Sequence, residues 1–225
     1  MPWRDWIRTV EVEPSLYAAD FARLGEQIEV LLRAGVRIFH FDIGDGHFVP
    51  PITMGPIVLQ SIAPLIHRHE GVIDVHLMTE SPAKYFAPVA AAGGDSVTFH
   101  YEAVDDVAAT IKAAREHELE AGVAFNPESE PGDVAAVAGD ADIVLCMGIH
   151  PGYSGQPFRE ETFARVAALR AALPEGVHIQ VDGGVGAENI RRLYDEGATL
   201  LVAGSAIFAL EDLPRAYRRL VQALA

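Results

Sequence analysis

Four residues carry most of the chemistry this sequence can do. They are His40 and Asp42 in Phe39-His40-Phe41-Asp42, His76 in Asp74-Val75-His76-Leu77-Met78, and Asp182 in Val181-Asp182-Gly183-Gly184. Two imidazoles and two carboxylates make a donor set for a borderline divalent cation such as Zn2+, Mn2+, Fe2+ or Co2+. In an extended segment His40 and Asp42 point to one side and the flanking Phe39 and Phe41 to the other. A His and an Asp aimed inward need partners, because an unpaired buried charge is costly. Three glycine-bearing segments come later in the chain. They are Pro151-Gly152-Tyr153-Ser154-Gly155-Gln156, Asp182-Gly183-Gly184-Val185 and Ala203-Gly204-Ser205-Ala206. Glycines let backbone amides approach an anion, and these segments contain no Lys or Arg, so a phosphate would be held mainly by amides. The other histidines read differently. His67 and His69 beside Arg68 and Glu70, and His117 beside Arg115, Glu116 and Glu118, read as solvated surface, while His100 could face the site.

Positioning these groups requires eight short apolar runs. The candidate strands are residues 9–12, 36–41, 71–75, 96–99, 121–125, 143–147, 178–181 and 200–202. Most are rich in Val, Ile, Leu and Phe without strict alternation, which suits strands buried on both faces of a parallel sheet. Amphipathic stretches at 18–34, 104–117, 162–173 and 187–196 lie between them. Ala34-Gly35-Val36, Ala92-Gly93-Gly94 and Glu196-Gly197-Ala198 each read as a helix end, a glycine suited to a left-handed turn, then a strand. The alternation predicts an α/β fold, a (β/α)8 TIM barrel, with residues 1–225 as one domain. Active sites of such barrels lie at the C-terminal strand ends, where the four residues fall.

Bulk properties narrow the function. The 225 residues carry a net charge of −15, which argues against nucleic acid and against an anionic membrane surface as partners. No stretch approaches the roughly 20 apolar residues of a membrane span, and Met1 to Arg8 do not read as a signal peptide. The single cysteine, Cys146, sits in an apolar run and reads as core. The expectation is a soluble cytoplasmic protein.

The motifs together resemble the ribulose-phosphate 3-epimerases from about Pro14 to Phe208. The resemblance rests on Pro14-Ser15-Leu16 with Ala19-Asp20-Phe21, His40-Phe41-Asp42-Ile43 with Asp45-Gly46-His47-Phe48-Val49-Pro50, and Val75-His76-Leu77-Met78 with Pro82. It continues through Asn126-Pro127, Met147 with Pro151-Gly152 and Gly155-Gln156, Val181-Asp182-Gly183-Gly184-Val185, and Ala203-Gly204-Ser205-Ala206-Ile207-Phe208. It implies His40, Asp42, His76 and Asp182 as ligands of one divalent metal, Zn2+ first with Fe2+, Mn2+ or Co2+ as alternatives. It implies Asp42 and Asp182 as an acid/base pair that epimerises D-ribulose 5-phosphate to D-xylulose 5-phosphate at C3 through a metal-stabilised enediolate. Ser15, His76, Gly152, Tyr153, Ser154, Gly155, Gly183, Gly184, Gly204 and Ser205 would contact the substrate, a small phosphorylated ketose. A homo-oligomer working in the pentose phosphate pathway is also implied.

The chain departs from the family pattern near the substrate. Gly44 stands where the family usually has Met, and Pro51 where Asn is usual. Ser15-Leu16-Tyr17-Ala18 replaces Ser-Ile-Leu-Ser, and His150-Pro151-Gly152-Tyr153-Ser154-Gly155 replaces Asn-Pro-Gly-Phe-Gly-Gly. Tyr17 is expected to refill the space left by Gly44, and His150 to add a titratable group at the mouth of the sixth strand. A sister epimerase for allulose 6-phosphate or a tetrulose phosphate is the alternative, followed by a non-catalytic sugar-phosphate sensor. An orotidine-phosphate decarboxylase is disfavoured, because Asp42-Ile43-Gly44-Asp45 lacks that group's Lys. Trp3, Trp6 and Ile7 are expected to pack on a neighbouring subunit or on the barrel floor.

Overall fold

A computed structural model describes residues 3–7, 9–153 and 155–225. Among them eight strands alternate with helices: β1 (Glu11–Pro14), β2 (Ile38–Gly44), β3 (Val72–Met78), β4 (Ser96–His100), β5 (Glu120–Phe125), β6 (Ile143–Met147), β7 (His178–Asp182) and β8 (Leu200–Ala203). All pair in parallel, in the order β1-β8-β7-β6-β5-β4-β3-β2. A parallel bridge between Ser15 and His40 joins β1 to β2 and rounds the sheet into a barrel. The helices are α1 (Trp3–Trp6), α2 (Leu24–Arg33), α3 (Pro56–Arg68), α4 (Ala83–Ala92), α5 (Val107–Arg115), α6 (Pro131–Val137), α7 (Glu161–Ala172), α8 (Ile190–Asp195), α9 (Ser205–Phe208) and α10 (Leu213–Ala223).

Local chemistry explains where these elements start and stop. Pro56 opens α3 and Pro131 opens α6, where a missing N–H costs nothing. Gly35, Gly93 and Gly197 adopt φ of 102°, 91° and 113°, the left-handed turns read from the sequence. Helix α2 buries Leu24, Ile28, Leu31 and Leu32 against the strands, a stripe at helical spacing. Each such side chain contributes roughly 1.5–3 kcal/mol on burial.

Alternation along the strands separates two interiors. Phe39, Phe41, Val75, Val97 and Val181 face outward into the layer between strands and helices. Trp6 and Ile7 join Ile38, Ile143 and Leu200 in a separate cluster, which makes them the barrel floor rather than a subunit contact. The Trp3 side chain lies outside what the structure describes. Above the floor the barrel interior is polar, with Glu13, Asp74, Ser96, Thr98 and Gln180 fully buried.

Candidate active site

Register brings the sequence-selected residues together. In the β2–β3 ladder His40 pairs with Asp74 and Asp42 with His76, while Met147 of β6 pairs with Asp182 of β7. Asp42 Oδ1 lies 3.1 Å from His76 Nδ1 and 3.3 Å from His40 Nε2. The Ser15 hydroxyl donates to Asp42 Oδ2 at 2.7 Å. His40, Asp42, His76 and Asp182 each offer one ligand atom, all within 4.8 Å of one another.

The donor set fits a divalent metal on a specific observation. His40 Nε2 is buried and makes no hydrogen bond. Its other ring nitrogen, Nδ1, is 2.9 Å from Asp74 Oδ2. Asp74 accepts further bonds from Ser96 Oγ and Gln180 Nε2, both at 2.8 Å. A carboxylate behind one nitrogen, with the other free of hydrogen bonds and facing Asp42 of the same donor set, is how proteins orient a metal-binding imidazole. The neighbouring Glu13, His40 and Asp74 also lie within ligand distance of one another, but there His40 would present the nitrogen already engaged by Asp74.

The two candidate acid/base carboxylates titrate in opposite directions. Burial would raise Asp42, but His40 and His76 hold it well below the ordinary carboxylate range. Burial, then the charge of Asp42, pushes Asp182 up to about 7. Burial works against a charge on His40, yet the Asp42 and Asp74 carboxylates overcome it and hold His40 well above its ordinary value. That cluster favours positive charge at its centre. Burial lowers His76 and takes His100 down to about 4, so both rings are neutral.

A cleft opens beside the cluster. Ser15, Tyr17, Asp42, Met78, Met147, Asp182, Gly152, Tyr153, Gly155, Gly183, Gly184, Gly204 and Ser205 all line it. Two of these glycines have no substitute. A side chain on Gly183, at φ 105°, would meet Ile149 Cγ1 at 2.3 Å. One on Gly184, at φ 69°, would meet the Phe158 backbone at 2.9 Å. Ser154 lies outside the described residues.

Several expectations change at this point. The space beside Gly44 is closed by its own loop, not by Tyr17. A Cβ there would meet Pro51 O at 2.9 Å, Val49 Cγ2 at 3.0 Å and Thr53 Cγ2 at 3.1 Å. The Thr53 hydroxyl ties the loop down, donating to Asp42 O and accepting from Gly44 N, each at 2.7 Å. Tyr17 instead lines the cleft, where burial and then the Asp42 and Tyr153 charges raise its phenol. His150 is more than half exposed, 3.2 Å from Glu128 on the surface. His67 is not merely solvated, because its Nε2 lies 3.0 Å from Asp95 Oδ2. Cys146 is buried as expected.

Sequence reasoning left His100 at the margin, yet its Nε2 sits 2.8 Å from His76 Nε2. It also gave no role to Asp74, Glu13 or Gln180. The one signal available for them was polarity inside apolar strands: Glu13, Asp74 and Gln180 all fall at inward positions.

Fold and site define a (β/α)8 barrel with an inward His/Asp cluster beside a glycine-lined cleft. The chain matches the Ribulose-phosphate 3 epimerase family over residues 11–208 and belongs to that family. It is thereby placed among the epimerases, a class of isomerases. Ribulose-phosphate 3-epimerase of Escherichia coli strain K12 is 39% identical over 207 residues, covering 89% of this chain and 90% of the relative. The protein of the same name from Bacillus subtilis strain 168 is 36% identical over 211 residues, covering 92% and 96%. Among solved structures, a 3-hexulose-6-phosphate synthase superposes with a TM-score of 0.69 at 22% identity, covering 97% of this chain and all of that one. Orotidine 5'-phosphate decarboxylase from Pyrococcus horikoshii OT3 gives 0.69 at 17% identity, covering 95% and 98%. These two likenesses show the fold alone. No described helix is long and apolar enough to cross a membrane.

Proposed function

We propose that this chain, residues 1–225 acting as one domain, epimerises D-ribulose 5-phosphate to D-xylulose 5-phosphate at C3. The observation that carries the reading is the Asp42/Asp182 pair, two carboxylates lining one cleft with opposed protonation preferences. Environments that push two titratable groups apart assign a base and an acid. Asp42, ionised, takes the C3 proton from one face. Asp182, holding a proton near neutral pH, delivers one to the other face, and the centre inverts. In the reverse direction the roles exchange. Both proteins named above are called ribulose-phosphate 3-epimerases, which supports the substrate assignment.

His40, Asp42, His76 and Asp182 would hold one divalent cation, Zn2+ first, with Fe2+, Mn2+ or Co2+ as alternatives. When bound, such an ion stabilises negative charge on the oxygens flanking the reacting carbon. Ser15 orients Asp42 through its hydroxyl. Tyr153 and Tyr17 line the cleft and would contact the sugar, while His76, which does not line it, would act from the metal cluster beside it. Backbone amides around Gly152, Gly155, Gly183, Gly184, Gly204 and Ser205 would take the phosphate, and Ser154 belongs to the same loop.

A sister specificity has its own support. Tyr17, which stands where the family pattern has Leu, lines the cleft together with Asp42, so a different ketose phosphate is the second reading. The experiment is direct. Purified protein with Zn2+ is given ribulose 5-phosphate, allulose 6-phosphate and a tetrulose phosphate in deuterated water, and C3 exchange is followed by NMR. Fastest exchange with ribulose 5-phosphate is expected. Faster exchange with another sugar moves the substrate, and no exchange with any of them leaves a sensor.

A further inference from the structure

Two side chains on the cleft wall carry hydroxyls that no protein group engages. Tyr17 and Tyr153 both line the cleft with Asp42 and Asp182. Among the described residues neither phenol oxygen has a hydrogen-bond partner; Gln156 Nε2 donates to the Tyr153 backbone oxygen at 2.9 Å, not to its ring. Both residues depart from the family pattern in the same sense. Tyr17 stands where that pattern has Leu and Tyr153 where it has Phe, so each departure adds a hydroxyl to one wall.

Local structure fixes Tyr17 in place. It lies in a single 3-10 turn, Leu16–Ala18, that follows β1 directly. The Ala18 N–H donates to Ser15 O at 3.2 Å and the Ala19 N–H to Leu16 O at 3.1 Å, and Leu16 is fully buried. Tyr17 is half-buried and packs against the main core, so its ring is set before any ligand arrives. Tyr153 comes from the loop after β6 and is 55% exposed, which makes it the less constrained of the two. Burial, then the Asp42 charge and then Tyr153, raise the Tyr17 phenol, so it keeps its proton and can donate.

The cleft offers a sugar few other side-chain donors. No Lys or Arg lines it, the Ser15 hydroxyl is taken by Asp42, and Ser205 sits beside Gly204 in the segment read as the phosphate cradle. A phenol that faces water keeps a hydrogen bond. When a ligand displaces that water, the phenol either meets an oxygen of the ligand or stands unpaired at a cost. Such a wall favours a ligand that turns hydroxyls toward it and rejects one that turns carbon toward it.

We propose that Tyr17 and Tyr153 form a two-phenol clamp that hydrogen-bonds the hydroxyl oxygens of a polyhydroxylated ketose phosphate, with Tyr17 as the specificity-determining residue. The proposal rests on reading the cleft as a ketose-phosphate site, and not on the proton transfer at C3.

Equilibrium dialysis of the full chain with Zn2+ tests it, because the binding constant for a total ketose pool stays defined while epimers interconvert. The probes are ribulose 5-phosphate, allulose 6-phosphate, a tetrulose phosphate and inorganic phosphate, which can use the cradle but brings no sugar. The native protein is expected to hold at least one ketose phosphate more tightly than phosphate. Tyr17→Phe removes the hydroxyl and keeps the ring, so it should weaken that ketose phosphate roughly 3–10-fold and leave phosphate within about twofold. Tyr153→Phe should cost less, and the double variant more than either alone. The melting temperature of Tyr17→Phe should match native, since the lost hydroxyl bonds no protein group. Unchanged ketose-phosphate binding in Tyr17→Phe overturns the proposal. So does an equal loss for sugar phosphate and phosphate, or a native protein that holds no ketose phosphate more tightly than phosphate. The epimerase reading fails separately: ketose binding that Tyr17→Phe weakens, without C3 exchange, keeps the clamp and removes the reaction.

Discussion

Asp42 and Asp182 reach one cleft from strands β2 and β7, and the negative charge of Asp42 helps keep a proton on Asp182. Burial is the larger cause, so the two effects can be separated. In metal-free protein Asp182 should titrate near 7. Asp42→Asn removes the neighbouring charge and should lower that value, while burial keeps it above the ordinary carboxylate range. Carboxyl carbon-13 NMR titration reads both. An unchanged Asp182 titration in Asp42→Asn would show that the two carboxylates do not share a field.

Asp182→Asn should separate activity from stability. Losing one proton-transfer group costs about 10²–10⁴-fold in turnover. Stability moves the other way in the metal-free protein. The folded state holds the Asp182 proton more tightly than the unfolded chain does. Its contribution is therefore favourable below the ordinary value of 3.8 and is lost as pH rises toward 7. At pH 8 the native protein carries a buried charge that asparagine does not. The variant should melt higher than native at pH 8 and show no such gain at pH 4. Calorimetry with excess chelator, beside a turnover assay, checks the pair of outcomes.

Gly44 should tolerate no side chain without moving its loop. A Cβ would stand 2.9 Å from Pro51 O, and backbone cannot swing aside as a flexible side chain can. Gly44→Ala should cost about 1–3 kcal/mol, the usual range for overpacking. Gly44→Met should cost more and should disturb the Thr53 bonds to Asp42 O and Gly44 N. Urea unfolding at fixed pH gives both values. A neutral Gly44→Ala would mean that the 49–53 segment yields easily.

How much of this was legible beforehand follows from the range of the interactions. Strand runs and left-handed glycines are local, so Gly35, Gly93 and Gly197 could be read from a few neighbours. The four clustered residues were also legible, because β2 carries His40 and Asp42 at alternate positions, His76 lies within the apolar run of β3, and Asp182 ends β7. What escaped was long-range. Gln180 donates to Glu13 at a separation of 167 residues, and neither residue's strand hints at the other. The loop over Gly44 escaped because its course depends on Thr53 reaching back to Asp42 O, an interaction no periodicity encodes. Trp6 was ambiguous for a different reason: an exposed interface and a barrel floor want the same apolar ring.

That floor can be tested away from the chemistry. Trp6 packs with Ile7, Ile38, Ile143 and Leu200 at the N-terminal ends of the strands. Trp6→Ala should cost about 3–5 kcal/mol, as large-to-small core changes do. The catalytic face lies at the opposite ends of the strands, so kcat and KM should stay within about twofold below the melting temperature. A loss of turnover with unchanged stability would contradict a purely structural floor.

Glu120, at the start of β5, offers a pH test that leaves the cleft alone. Burial and then the Asp142 carboxylate push it up to about 7, against an ordinary value of 4.5. Asp142 is itself held in place by Arg115 at 3.1 Å and by the Ala121 N–H at 2.9 Å, so it cannot easily turn away. A raised folded-state value means the proton stabilises the fold. The contribution is present below 4.5, fades as pH rises, and is gone above 7, where two carboxylates face each other. Glu120 is partly exposed, so solvent reduces the effect and the shift in melting temperature should be modest. Glu120→Gln should melt higher than native at pH 8, and the two should converge at pH 4. Turnover should be unaffected at either pH, because Glu120 sits at the opposite end of its strand from the catalytic face. An equal melting difference at both pH values would show that Glu120 acts through packing rather than charge.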